Sequence, residues 1–165
     1  MASTLPMPLQ AGARAPVHVL HPGDVVCAER GARLETLLGS CVAIILTDPR
    51  RTVGAMCHIV HSGASARGRD SSNKFADVAL ETMQARLQAR GIVPRLCEAY
   101  VYGGANMFPE LPAAVPVGER NARWALQALA DAGIRVLAHD VGGQRHRKLS
   151  WIVGPQAPQL VLAQD

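Results

Sequence analysis

Two apolar runs dominate the first third of the chain: "CVAIIL" from Cys41 to Leu46 and "VGAMCHIV" from Val53 to Val60. The stretch between them, "TDPRRT", carries the Asp-Pro signal of a turn. A connection this short joins antiparallel neighbours, and strands that are apolar at nearly every position are covered on both faces. Upstream, Val17–Leu20 and Val25–Glu29 read as short strands around the turn "HPGD", and Arg33–Leu37 as a third. Downstream the period changes. In "KFADVALETMQARLQARG", Phe75, Val78, Ala79, Met83 and Leu87 recur at helical spacing, with Asn73 placed to cap the start and Gly91 to end it. A second helix is expected over "GERNARWALQALADAG", with Ala122, Ala125, Leu126 and Leu129 inward and Gly133 at its end. Strands are expected at Arg95–Tyr102, Ile134–His139, Leu149–Val153 and Gln159–Leu162, the last two as a hairpin.

This order, strands first and then βαβ-like units, predicts an α/β protein: a mixed sheet covered by two main helices in one layered sandwich. The Pro- and Ala-rich stretch 1–16 reads as a mobile tail, and 17–165 as a single domain. "HSGASARGRDSSN", from His61 to Asn73, reads as a flexible loop.

Composition narrows the class. With 48% hydrophobic and 18% charged residues the chain is globular, and two Trp, two Tyr and two Phe leave a core made mainly of aliphatic side chains. No run approaches the ~20 apolar residues of a membrane helix, and the N-terminus lacks the basic and apolar regions of a secretory signal. A cytoplasmic location follows as the expectation. The net charge of +4 is spread along the chain, from Arg33 to "QRHRK" at Gln144–Lys148, and reads as a solvated surface without the dense basic stripe of a nucleic-acid binder. Cys27, Cys41, Cys57 and Cys97 form no C-x-x-C pair and read as free thiols.

Cys41 admits three readings. A free cysteine is commonly a small buried hydrophobe, and Cys27 and Cys97 suit that description. Cys41, Cys57, His58 and His61 are all residue types that bind zinc, but Cys57 and His58 are consecutive on a strand and so point to opposite faces. The third reading is a nucleophile. Gly39 and Ser40 allow a tight turn that puts the Cys41 sulfur at a strand start, where backbone N–H groups can meet an oxyanion. A hairpin brings Cys41, at the start of one strand, beside His58, at the end of the next. A free thiol is only about 3% ionised at neutral pH; a neighbouring imidazolium that lowered its pKa to about 6 would make it mostly thiolate. Thr36, just upstream, is within reach to orient the ring.

Five blocks then carry a resemblance: "TLLGSCVAIILTDP", "VGAMCHIV", "KFADVALETM", "YGGANMF" and "VGERNARWALQALADAGIRVLAHDVGG". Together they resemble the CheD family of chemoreceptor glutamine deamidases, over roughly Val25 to Leu162. The resemblance implies a single α/β sandwich that hydrolyses selected glutamine side chains of chemoreceptor cytoplasmic helices to glutamate, with release of ammonia. It implies a Cys–His–Thr set, with the nucleophile at Cys41 and the base at His58. The third position is open: in some relatives it lies six residues before the cysteine, where this chain has Glu35, while Thr36 lies five before. Gly39, Ser40, Gly104 and Asn106 are implied at the oxyanion or substrate side, no metal or organic cofactor is required, and a CheC-type phosphatase is a possible partner. A cysteine amidase or esterase on another substrate, and a non-catalytic chemotaxis adaptor, are the competing readings.

Overall fold

The computed structural model describes residues 15–63, 72–112 and 114–164. The expected tail lies outside them except for Ala15 and Pro16, as does residues 64–71 of the expected loop. Nine strands and two helices follow in the order β1 (Val17–Leu20), β2 (Val25–Glu29), β3 (Arg33–Leu38), β4 (Val42–Thr47), β5 (Val53–Ile59), α1 (Ala76–Gln88), β6 (Glu98–Gly103), α2 (Val117–Asp131), β7 (Arg135–Val141), β8 (Arg147–Ile152) and β9 (Gln159–Leu162).

The fold is the layered α/β arrangement, with one feature beyond the sequence reading: the strands divide into two mixed sheets. One has the order β1-β3-β8-β9, the other β2-β5-β4-β6-β7. The centre of the larger sheet is the antiparallel pair β4–β5, in register from Val42 opposite Ile59 to Thr47 opposite Gly54. Every residue of both strands is buried. Alternation sends Val42, Ile44, Leu46, Ala55, Cys57 and Ile59 into one core, against Met83, Leu87, Ala125 and Leu129 of the helices. Ala43, Ile45 and Met56 face the other way, into a second core with Leu34, Leu38, Leu149 and Trp151 of the smaller sheet. The layers are therefore sheet, sheet and helices, and the β4–β5 hairpin borders both cores.

The late strands pair antiparallel as expected, and β6-α2-β7 is a parallel βαβ unit. Three local expectations are corrected. Residues Pro94–Leu96 form a 3-10 turn, so β6 begins at Glu98 and not at Arg95; Pro94, which has no N–H to give a ladder, opens that turn. The cap of α1 is Phe75 without a side-chain bond, while the Asn73 Oδ1 accepts from the Thr82 hydroxyl at 2.7 Å. The buried stripe of α1 is Ala76, Ala79, Leu80, Met83 and Leu87, with Phe75 and Val78 only half-buried; Phe75 stands outside the helix, its ring tilted 39° against that of His61 at 5.3 Å.

Candidate active site

The pleat decides which side chains meet. Ala43 pairs with His58, so the imidazole faces the gap between the sheets, 3% exposed. Cys41 lies two residues before Ala43, just ahead of β4, and is half-buried against the same inter-sheet core. It is thus diagonal to His58 on one face, where Cα atoms of an antiparallel pair stand about 7–8 Å apart. From the opposing sheet, Thr36 points inward, 3% exposed. Its Oγ1 stands 2.7 Å from His58 Nδ1 and donates to the Leu20 carbonyl at 2.8 Å. The hydroxyl proton is therefore committed to Leu20, and the bond to the ring requires Nδ1 to carry the proton. The lone pair is left on Nε2. Glu35, the neighbouring candidate, points to the outer face and pairs with Arg33 at 3.6 Å. Of the two sequence positions, it is Thr36 that the structure brings to the ring.

The backbone of His58 is held as closely as its ring: its N–H donates to the Asp24 carbonyl at 3.1 Å, and its carbonyl accepts from Gly23 at 2.9 Å. The "HPGD" turn thus lies alongside the ring's strand.

Electrostatics run against the ion pair expected from the sequence. Burial pushes the His58 pKa down to about 4, against an opposing pull from the Asp24 carboxylate. Burial pushes the Cys41 thiol up. The resting pair is a neutral thiol and a neutral imidazole, because a half-buried sulfur and a buried ring both lose hydration when charged. Cys57, on the other face of β5, is pushed up to about 12 by burial and belongs to the helix-side core. His61 is exposed, with its ring tilted against that of Phe75. Of the four residues of the zinc reading only Cys41 and His58 share a face, while Cys57 points into the helix-side core and His61 is exposed.

The Cys41 turn is braced from β6. Gly103 has φ +112°, and a Cβ there would lie 2.2 Å from the Cys41 carbonyl oxygen. The Gly104 N–H donates to that oxygen at 2.9 Å, and Ala105 N–H to the Gly39 carbonyl at 3.0 Å. Gly104 is accordingly a brace whose N–H is already engaged. Asn106 donates its N–H to Gly143 and accepts from Phe108 N–H at 3.2 Å through Oδ1, closing its own loop. With Ser40, Met107, Leu111 and Val117 it lines a cleft of about 250 Å³. Arg147 is 4% exposed: it pairs with Asp140 at 2.9 Å and donates to the carbonyls of Gly142 and Gly103. The sequence reading had placed it with the solvated cations. A second residue missed was Asn121, buried on α2 and bonded to the Ser40 carbonyl at 3.0 Å. Asn121 stands four residues before Ala125 and eight before Leu129, so helical spacing places it on the inward face, and only its polar type hid it.

These features define a class: a two-sheet α/β protein with a hydroxyl bonded to a tautomer-fixed imidazole in the inter-sheet gap and a half-buried cysteine on the same face. The family model described as CheD chemotactic sensory transduction matches residues 60–155. A probable chemoreceptor glutamine deamidase CheD of Pseudomonas savastanoi pv. phaseolicola is 36% identical over 134 residues, 79% of this chain and 76% of that protein. The chemoreceptor glutamine deamidase CheD of Thermotoga maritima is 37% identical over 114 residues, 69% and 71% of the two chains. The chain belongs to the CheD family. Among solved structures, Neisseria meningitidis protein NMB0706 is similar with a TM-score of 0.48 and 14% identity, covering 85% of this chain and 76% of that one.

Proposed function

We propose that the protein is a glutamine deamidase that converts side-chain amides of bacterial chemoreceptors to carboxylates. The observation that carries the reading is the fixed tautomer: a His58 ring with Nδ1–H pinned to Thr36, which leaves the lone pair on Nε2, on the face that Cys41 shares. Family membership supplies the substrate class, since the relatives named above are chemoreceptor glutamine deamidases.

The Cys41 sulfur attacks the amide carbon while its proton passes to His58 Nε2. Starting from a neutral pair, the proton moves as the C–S bond forms and needs no standing thiolate. The oxyanion is held by N–H groups at the Ser40–Cys41 turn, which the β6 glycines keep in shape. The imidazolium, steadied through Nδ1–H by Thr36, gives its proton to the leaving nitrogen, and ammonia departs from the thioester. Nε2 then takes a proton from water, hydroxide adds to the carbonyl, and the thiol is regenerated with glutamate as product. Cys41, His58 and the hydrolytic water carry every proton between them, and no cofactor enters. On this reading the protein works in the cytoplasm, where receptor signalling helices lie, and a CheC-type phosphatase is a second partner.

The test is mass spectrometry of a receptor cytoplasmic fragment after incubation. A gain of about one mass unit at a glutamine, with ammonia release, is expected from the wild type and not from Cys41→Ala. Undiminished conversion by Cys41→Ala would remove the nucleophile from the scheme.

A further inference from the structure

The β4–β5 ladder ends one pair short of the chemistry. Its last registered pair is Val42 with Ile59, so Cys41 and Val60 lie just beyond it. At that open end stands Asn121 of α2, 2% exposed. Its Nδ2 donates to the Ser40 carbonyl at 3.0 Å and to the Val60 carbonyl at 3.0 Å. Ser40 immediately precedes Cys41, and Val60 is two residues past His58. Both partners are acceptors, which fixes the amide with its nitrogen toward them. The Oδ1 is buried and without a partner among the described residues.

An amide kept for stability alone would have both ends satisfied, or would be replaced by an apolar side chain, because a buried orphan acceptor is a cost. What this amide provides is a single nitrogen with two protons, one for each strand end. The helix that carries it is seated where it must be. Gly118, one turn earlier, lies so close to the β6 bend that a Cβ there would stand 2.3 Å from the Ala105 carbonyl and 2.6 Å from that of Gly104. That same bend holds the carbonyl of Cys41.

We propose that Asn121 is a positioning residue that closes the open end of the β4–β5 ladder and thereby sets the separation of the Cys41 sulfur from the His58 ring. Its effect on turnover rests on the deamidase reading; its effect on the placement of the sulfur does not. The clip acts on backbone at both ends, so it can hold the two side chains in one geometry without touching substrate.

The experiment uses the full chain with Asn121→Leu, which keeps the side-chain size and removes both donors, and with Asn121→Ser, which leaves room for water in the nitrogen's place. Ala125→Gly, a buried change one turn further along the same helix, serves as the control for lost stability. Two quantities are read per folded molecule: kinetics of ammonia release from a receptor fragment, and iodoacetamide labelling of the Cys41 peptide at neutral pH. For Asn121→Leu, kcat is expected to fall roughly tenfold or more with KM within about twofold. Labelling is expected to rise at least about threefold over the Ala125→Gly control, because the released turn exposes the sulfur. Asn121→Ser should move both readouts in the same directions by less. Labelling equal to the control in both variants overturns the proposal, as does raised labelling with unchanged kcat. A wild type that releases no ammonia sinks the deamidase reading instead, and labelling alone then decides the clip.

Discussion

Thr36 shows how much one hydroxyl decides. It lies between the Leu20 carbonyl and His58 Nδ1. Thr36→Val keeps the shape and leaves a buried carbonyl and a buried ring N–H without partners. That costs about 1–3 kcal/mol of stability and frees the ring to take the wrong tautomer. Ammonia release should fall about a hundredfold, while Thr36→Ser retains most of it; steady-state kinetics and a urea titration separate the two effects. The pH profile belongs to the same pair. With His58 near 4 and the Cys41 thiol pushed up, the neutral pair persists across neutral pH, so kcat/KM should show no acid limb near the ordinary histidine pKa and should stay level through neutral pH. A limb between about pH 6 and 7 would mean that the His58 ring titrates near its ordinary value and is not held neutral by burial. The sequence pointed to Cys41, His58 and Thr36 because each stands at a strand end or turn, where period and pairing fix the facing side. It pointed to the wrong charge state, because desolvation depends on what covers the strands.

At the scale of elements, close backbone contacts hold the site, and two glycines mark them. Gly103→Ala would drive a methyl to 2.2 Å from the Cys41 carbonyl oxygen at a φ of +112°, so the β6 end must withdraw from the Cys41 turn. Deamidation should be lost to background while far-UV circular dichroism remains that of a folded protein, since the contact is local. Gly54 is the counterpart between the sheets: a Cβ there would lie 2.3 Å from the Trp151 ring. Trp151 is 1% exposed and has no room to retreat, so Gly54→Ala should destabilise by about 1–3 kcal/mol, read as a lower urea midpoint. The hairpin β4–β5 was legible because its apolar runs and turn are local. The split into two sheets was not: β1, β3, β8 and β9 are short or half-exposed, and their partners are set by packing across the chain. Asn121 and Arg147 escaped for a related reason, being polar residues whose burial rests on carbonyls supplied by distant elements.

The whole molecule inherits a pH window from the groups it buries. His58 has a folded pKa of about 4, below its ordinary 6.5, so the unfolded chain binds more protons between those values. Stability from this group is present above about pH 6.5 and is lost as pH falls toward 4, an effect on the order of 3 kcal/mol. Asp48 adds a second loss in acid. Desolvation raises its pKa, but bonds from the Thr52 hydroxyl and the N–H groups of Val53 and Thr52 outweigh it, and the carboxyl ends below its ordinary value. Its contribution is present above the ordinary carboxyl pKa and disappears below about pH 4. On the alkaline side, Cys57 is raised from 9.0 to about 12, so the unfolded chain releases its proton first and stability declines above pH 9. The urea midpoint should therefore be flat from about pH 6.5 to 9 and fall on both sides. In His58→Asn the slope between pH 4 and 6.5 should largely vanish, while the loss below about pH 4 persists because Asp48 still anchors the β4–β5 turn. A wild-type midpoint that stays flat down to pH 4 would show that the His58 ring takes up its proton as readily folded as unfolded, and the burial-lowered pKa would have to be abandoned.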